Sequence, residues 1–418
     1  MAKTISLGHE VPGGNYSMIR SMHRGHLFLG ICLFIYACTD DRNGAVSRPF
    51  SDTEYEKVQV QLFDTIYLSQ IALDISYLPL ETNDSNMIGQ VTSIIGTEEL
   101  YIVADEALAN SVFGFSKNGR NTFAINKTGG GEGEYGMMGA VNLIDDRIVV
   151  FDISGFSALS FGLDGQFLEE WKVGYYVDYF IQIDRDRLAF VSVMPNVGPD
   201  ESGSGTLHFC RRDFSGVHNS FFPLAYGELA GEYGRAFFYE GNTRYVRSAI
   251  NRIYNINGQG EVSAGLLLDF GEYNVPDEIF EKDGDIIEPI LEQQFLNGEF
   301  AALTDRLLED ARFLSFWFYI GGTEEDHHCW LGIYDKETHT CLASNHIVND
   351  IDHGPFTYPL AIVDNQWISV IDASAMLEYK EVIARKSGNR SLIAISDTIQ
   401  AAHNPVLMKY SIKMDLPQ

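Results

Sequence analysis

Along most of the chain apolar residues gather in short runs separated by polar turns, and the three- and four-residue spacing of a helix is rare. "ELYIVAD" (99–105) is followed by "SVFGFSKNGR" (111–120), and "DRIVVFD" (146–152) by "ALSFGLDGQF" (158–167). Each pair reads as two strands, the second closed by a turn on Asn118-Gly119 or Asp164-Gly165, dipeptides that supply the positive φ of a tight hairpin. The pairs are offset by 46 or 47 residues, the period of a four-stranded propeller blade. Later pairs diverge: "DRLAFVS" with "LHFCRRDFSG", "RYVRSAI" with "RIYNINGQGE", and "FLSFWFYI" with "CWLGIYDKETH".

Two stretches break the strand pattern. Residues 276–310 open with Pro276 and place Ile279, Phe280, Ile286, Ile287, Ile290, Leu291 and Phe295 at roughly helical spacing, which predicts one or two amphipathic helices. Residues 373–402 read as helical as well. In a propeller these insertions and the loops between blades emerge on one face.

The chain has 418 residues, 12% aromatic, with 39 Gly and a formal charge of −29. The length and glycine-punctuated β pattern fit one large all-β domain. The charge argues against nucleic acid, which needs basic stripes, and against anionic membrane surfaces. Residues 1–37 read as an address: Arg20 and Arg24, an apolar run from Leu27 to Tyr36, then Ala37-Cys38. The run is too short for a stable span. Ile35-Tyr36-Ala37-Cys38 resembles a bacterial lipobox, with Cys38 the lipidated residue, and residues 1–17 are unlike a signal, so a start at Met18 or Met22 fits. Thr39-Asp40-Asp41 resembles a surface-export signal of Bacteroidota lipoproteins. Residues 1–37 carry Lys3, Arg20 and Arg24 against Glu10, so their removal takes the charge from −29 to −31. Residues 38–58 are then expected to be lipid anchor and flexible linker, with the propeller over 59–418. Cys210, Cys329 and Cys341 remain, an odd number with no disulfide framework.

Gly131 to Gly136 fits the dinucleotide spacing G-x-G-x-x-G, but such a loop must follow a strand and open a helix. Here Met137 to Ile144 reads as a strand, and Glu132 and Glu134 would repel a pyrophosphate. The repeat explains the loop better. Gly-Glu-Tyr-Gly recurs 98 residues on, at 231–234, and Gly-Glu-Tyr again at 271–273. That separation is about two blades.

With lipobox, repeat and loop together, the chain resembles the six-bladed β-propeller lipoproteins of Bacteroidota, similar in architecture to NHL-repeat and TolB-type propellers. The likeness is carried by "YLPLET" (77–82), "GGGEGEY" (129–135), "LLLDFGEY" (266–273), "IYDKET" (333–338), "NDIDHGPF" (349–356) and "NPVLMKYSIK" (404–413). It implies an all-β, six-bladed ring closed by strand exchange, "ISYLPLE" supplying the outer strand of the blade built from the C-terminus. Closure of this kind removes an open sheet edge.

Glu134, Tyr135, Glu232 and Tyr233 are expected near the channel mouth, two blades apart. Paired carboxylates there could serve as general acid and base or ligate a cation; the structural reading of a repeated Gly-Glu-Tyr is favoured. Asp350, Asp352 and His353 form an oxygen-rich loop lacking the six-oxygen calcium spacing, so calcium is the one cofactor considered and no metal ligand is assigned. His327, His328 and Cys329 suggest a cluster, but adjacent histidines point to opposite faces of a strand. The aromatic runs at 175–180, 237–240 and 316–320 could stack on sugars, but packing between blades is favoured. No catalytic residue is assigned. Favoured is an envelope lipoprotein held to the outer membrane through its lipid alone, with Thr39-Asp40-Asp41 pointing to the cell surface, whose propeller binds a glycan, peptide or envelope protein. The other reading is an extracellular hydrolase or lyase using carboxylates or a divalent cation.

Overall fold

The computed structural model describes residues 50–192, 205–217, 219–223, 234–239, 242–247, 250–276, 300–320 and 328–414. The fold is nearly all β and propeller-like. Three strands near the N-terminus come first: β1 (Glu56–Leu62), β2 (Ile66–Tyr67) and β3 (Ala72–Pro79). Two four-stranded meanders follow: β4 (Ser93–Gly96), β5 (Leu100–Asp105), β6 (Ser111–Ser116) and β7 (Asn121–Ile125), then β8 (Met138–Ile144), β9 (Arg147–Asp152), β10 (Ser157–Phe161) and β11 (Phe167–Lys172). A third comprises β12 (Tyr179–Gln182), β13 (Arg187–Val191), β14 (Gly205–Arg211) and β15 (Asn219–Pro223).

The next two meanders are β16 (Gly234–Tyr239), β17 (Asn242–Arg247), β18 (Arg252–Ile256) and β19 (Val262–Asp269), and β20 (Ala301–Glu309), β21 (Phe313–Ile320), β22 (His328–Asp335) and β23 (Thr340–Ser344). They are joined into one nine-stranded sheet because β1 lies between them. Its first half pairs in parallel with β19, Glu56 to Gln59 against Leu266 to Asp269, and its second half with β23, Val60 to Leu62 against Cys341 to Ala343. The expectation of six blades is therefore met only in part. Val58 and Val60 are buried while Lys57, Gln59 and Gln61 face out, the alternation of a strand with one covered face. Residues 50–58, expected in the linker, are thus docked. Phe50 and Tyr55 pack on Tyr254, and the Arg252 guanidinium pairs with Asp52 at 2.5 Å.

After β24 (Ile347–Val348), which pairs with β2, come β25 (Pro359–Val363), β26 (Gln366–Ile371) and β27 (Val406–Ile412). The outer strand of this sheet is β3, antiparallel to β27 with Val406 opposite Pro79 and Met408 opposite Tyr77. "ISYLPLE" thus completes a sheet begun by the C-terminus. The first strands β4, β8, β12, β16, β20 and β25 neighbour one another in cyclic order, and β25 returns to β4.

Middle strands such as β5 and β10 are buried on both faces, because each sheet packs against one neighbour on either side. One shared cluster holds Ile102, Tyr135, Val150 and Phe161; another, at the closure, holds Val103, Phe113, Val363 and Leu407. Two glycines let aromatics lie flat on a strand. A Cβ on Gly114 would sit 2.1 Å from the Phe123 ring, and one on Gly332 2.3 Å from the Phe316 ring. Gly114→Ala and Gly332→Ala are each expected to cost about 1–3 kcal/mol by overpacking, read as lower thermal midpoints.

Helices Ala373–Glu378, Lys380–Lys386 and Arg390–Thr398 occupy the second predicted insertion, between β26 and β27. They bury Met376, Ile383 and Leu392 in the same cluster as Trp367 and Met408. The first insertion needs correction at its end: residues 301–309 are strand β20, paired with β21. The helical spacing falls on Ile279 to Phe295, and residues 277–299 lie outside the described residues.

Candidate functional site

In each meander the connection from second to third strand, and the one leading into the next first strand, fall at the same end. The described loops of this insertion face are built around buried carboxylates and amides. Asp105, at the end of β5, accepts from the Gly89 and Gln90 amides at 2.7 and 2.9 Å and from the Leu108 amide at 2.8 Å. Asp152, at the end of β9, accepts from Gly136, Met137 and Ser154 through Oδ1 and from Gly155 through Oδ2, at 3.0–3.1 Å. The same aspartate in two repeats ties an incoming loop to the turn beside it, where unpaired buried amides would be costly. Asn110 adds a link between the first two meanders: Oδ1 accepts from the Met138 amide at 2.8 Å, and Nδ2 donates to the Gly136 carbonyl at 3.2 Å.

Glu134 and Tyr135 lie in the connection between β7 and β8. Tyr135 is fully buried, and its hydroxyl donates to the carbonyls of Asn110 and Ile125 at 2.8 and 3.1 Å. Desolvation pushes its pKa up to about 12. Glu134 is exposed and accepts from the Gly131 amide at 2.8 Å. The motif here closes a turn and wedges a ring between two meanders. Tyr135→Phe is expected to lower stability by about 1–2 kcal/mol, whereas Glu134→Gln should leave the melt within about 0.5 kcal/mol of wild type. Glu232 and Tyr233 lie outside the described residues.

Asp350 accepts from the Ser69 amide at 2.9 Å and the Ser69 hydroxyl at 2.6 Å, fastening the short helix Leu68–Ile71. Asp352 is buried. Its Oδ1 accepts from the Tyr77 hydroxyl, Asn349 Nδ2 and the Gly354 amide at 2.7–3.2 Å, and its Oδ2 from Asn389 Nδ2 at 3.1 Å. Asn389 in turn caps helix Arg390–Thr398. One carboxylate thus clasps the closing strand, its own loop and the helical insertion, and burial raises the Tyr77 pKa. His353 sits half-buried at φ +58°. Asp350 and Asp352 thus hold different parts of the chain, and no group of three His, Cys, Asp or Glu suited to a metal occurs among the described residues. His327 and the His328 side chain lie outside them. Cys329 is half-buried, and Cys341 faces Tyr334 across the hairpin.

The aromatic runs, where described, pack inward. Tyr175 stacks on Phe190 at 5.1 Å, Phe180 is buried, and Phe316 and Phe318 belong to the core around Leu303. Trp317 is half-buried against the cluster of Trp367 and packs edge-on to Tyr358. A bulge between Leu303 and Leu307 in β20 throws out Arg306, whose guanidinium lies 5.9 Å over the Trp317 ring and donates to the Thr92 carbonyl at 3.2 Å. Thr92 leads into β4, so this side chain reaches past β25 between non-adjacent meanders. Asp372, at the end of β26, repeats the position of Asp105 and Asp152, but it accepts no capping hydrogen bond. Partial desolvation raises the pKa of its carboxyl, although the residue is exposed.

Sequence reasoning missed the exposed apolar side chains of this face. Of nine large hydrophobic residues exposed among the described residues, six lie in its loops: Met87, Leu108, Met137, Phe156, Ile351 and Tyr379. Loop residues carry no periodicity that would have marked them.

Nothing matches among curated protein sequences. Among solved structures, a protein designated as exported from Bacteroides fragilis NCTC 9343 is 16% identical and superposes with a TM-score of 0.69, covering 86% of this chain and 100% of that one. A member of the DUF4221 family from Bacteroides vulgatus ATCC 8482 is 8% identical with a TM-score of 0.51, covering 82% and 98%. At such identities the likeness is one of fold. The model of a domain of unknown function, DUF4934, matches residues 55–411, and the chain therefore belongs to the DUF4934 family.

Proposed function

We propose that this protein is an envelope lipoprotein, anchored through Cys38, whose six-bladed NHL- or TolB-like propeller acts as a non-catalytic module binding its ligand on the insertion face. The six-blade reading rests on the cyclic order of first strands and on β1 as an added strand between two blades. An envelope location is supported by the lipobox-like Ile35 to Cys38 and by the exported designation of the Bacteroides fragilis structure. One observation carries the binding reading. Asp105, Asp152, Asp350 and Asp352 spend their oxygens on donors of the chain itself, while the same face exposes apolar side chains. Carboxylates so committed hold loops in place, whereas exposed apolar groups gain free energy on being covered.

The test is thermal unfolding of the full chain with calcium, with EDTA, and with panels of soluble polysaccharides and peptides. A ligand at 100 times its Kd adds about 2.7 kcal/mol to the native state. A higher midpoint with a glycan or peptide is expected. A calcium-dependent rise with no organic ligand active would replace the binding reading with the cation-assisted one.

The second reading, a hydrolase or lyase, is favoured by Asp372 alone, whose carboxyl pKa is raised by partial desolvation, the direction a general acid requires. Turnover of an extracellular polymer, lost in Asp372→Asn with the melt unchanged, would establish it.

A further inference from the structure

Resting on the binding reading, the geometry points to Met87, Leu108, Met137 and Phe156 as a docking strip for a polypeptide segment that is both apolar and basic. The four side chains are 41–60% exposed. They occupy successive loops: Met87 before β4, Leu108 between β5 and β6, Met137 before β8, and Phe156 between β9 and β10. Hydrogen bonds join these loops into one surface. Asp105 links the Gly89 and Gln90 amides to that of Leu108, Asn110 reaches Gly136 and Met138, and Asp152 links the Met137 amide to that of Ser154. At the other end Asn404 accepts from the Ile88 amide at 2.9 Å. The strip is therefore held in shape before anything binds, which lowers the ordering cost of association.

Phe156 is the sharpest sign. Its φ is +47°, a region bulky residues avoid. Phe214 and Phe222 also take positive φ, but both are buried in packing. Phe156 is instead 44% exposed. Its carbonyl accepts from the Val173 and Gly174 amides at 3.0 Å, which fixes the turn whichever side chain stands there. A residue better suited to this backbone would be asparagine, so the ring is placed for an outside contact.

The surroundings select the partner. Asp84, Glu132 and Glu134 are exposed and Glu106 is half-buried in these same loops, against one cation, Lys127, in the β7–β8 connection. With a chain charge of −29, a second copy or an anionic membrane is repelled, and lysine or arginine flanking apolar side chains is attracted. Two methionines and a leucine adapt to side chains of varied shape, as on peptide-binding surfaces, and a single ring offers little of the stacking platform a glycan uses.

The test measures fluorescence anisotropy of dye-labelled dodecapeptides with the full chain. The peptides alternate Leu with Lys, Leu with Glu, or Ser with Lys. The Leu/Lys peptide is expected to bind about tenfold or more tighter than either control. Binding should weaken about tenfold in Leu108→Ser/Met137→Ser and in Phe156→Asn, neither of which changes charge. The melt of Phe156→Asn should be equal to or higher than wild type, which separates lost binding from lost folding. Equal binding of the Ser/Lys peptide, or wild-type binding by both variants, overturns the proposal. So does self-association abolished by the double variant. A polysaccharide that raises the melting midpoint while no peptide binds also overturns it and leaves the binding-module reading standing. Polymer turnover lost in Asp372→Asn would instead remove that reading.

Discussion

A chain beginning at Glu81 is expected to lose cooperative unfolding. It lacks β1, β2, β3 and the helix Leu68–Ile71. Without β3, the backbone of Val406–Ile412 becomes an open edge along an apolar strand, a template for aggregation. Without β1, the outer edges of β19 and β23 open as well. Val58 and Val60 are removed from one core cluster and Leu68, Ile71 and Tyr77 from another, at about 1.5–3 kcal/mol for each large side chain, and Asp352 loses the Tyr77 hydroxyl. Near-ultraviolet circular dichroism and sedimentation would show a broad melt and large species. A truncated chain that melts sharply at the wild-type temperature would mean that the ring closes without its N-terminal strands. Tyr77→Phe is the milder probe, expected to cost about 1–3 kcal/mol by leaving a buried carboxylate one donor short.

Glu309→Leu is expected to destabilise the fold by about 3–5 kcal/mol, the cost of breaking a largely buried ion-pair network from one side. The Glu309 carboxylate lies between β17 and the β22–β23 turn with 5% of its side chain exposed. Arg244 donates through Nε at 3.0 Å and Nη2 at 3.2 Å, and Lys336 Nζ lies at 2.9 Å. Arg244 also donates to Asn255. Burial alone would raise the Glu309 pKa, but the hydrogen bonds and charge of Arg244, with those of Lys336, lower it below the ordinary carboxylate range. The folded value therefore lies beneath the unfolded value of about 4.3. Its contribution is complete above that unfolded value and is lost as pH falls through the folded one. Wild-type denaturant midpoints should fall on acidification below about pH 5, with a shallower fall in Glu309→Gln. Identical acid limbs for the two proteins would rule out this carboxylate as a source of acid lability. Asp335, lowered by Arg312 against the opposing effect of burial, adds to the same limb.

Much of the fold is legible in the chain because the second and third strands of each meander are covered on both faces. "ELYIVAD" and "DRIVVFD" are near-continuous apolar runs for that reason, and their turns carry Asn-Gly or Asp-Gly. Helices in 373–402 were legible too, since Met376, Ile383 and Leu392 face one core. The stretch that ends in β20 misled because its helical spacing ran from Ile279 to Phe295, upstream of the residues that Ala301–Glu309 set against β21. The docked strap was missed because "EKVQVQL" is short and mostly polar, and only its partners β19 and β23 give Val58 and Val60 a surface to cover.

The candidate site divides in the same way. The sequence by itself determined that Gly-Glu-Tyr recurs between β units and that Asp350 and Asp352 stand on one glycine-ended loop, because residue type and spacing are local. Only the tertiary structure decided what those groups do. Tyr135 became a wedge and Asp352 a clasp because their partners, Asn110, Tyr77 and Asn389, come from distant parts of the chain. Exposure of Met87, Leu108, Met137 and Phe156 was likewise a tertiary outcome. An apolar loop residue is buried or presented according to which loops pack beside it, and that depends on ring closure, which no local pattern encodes.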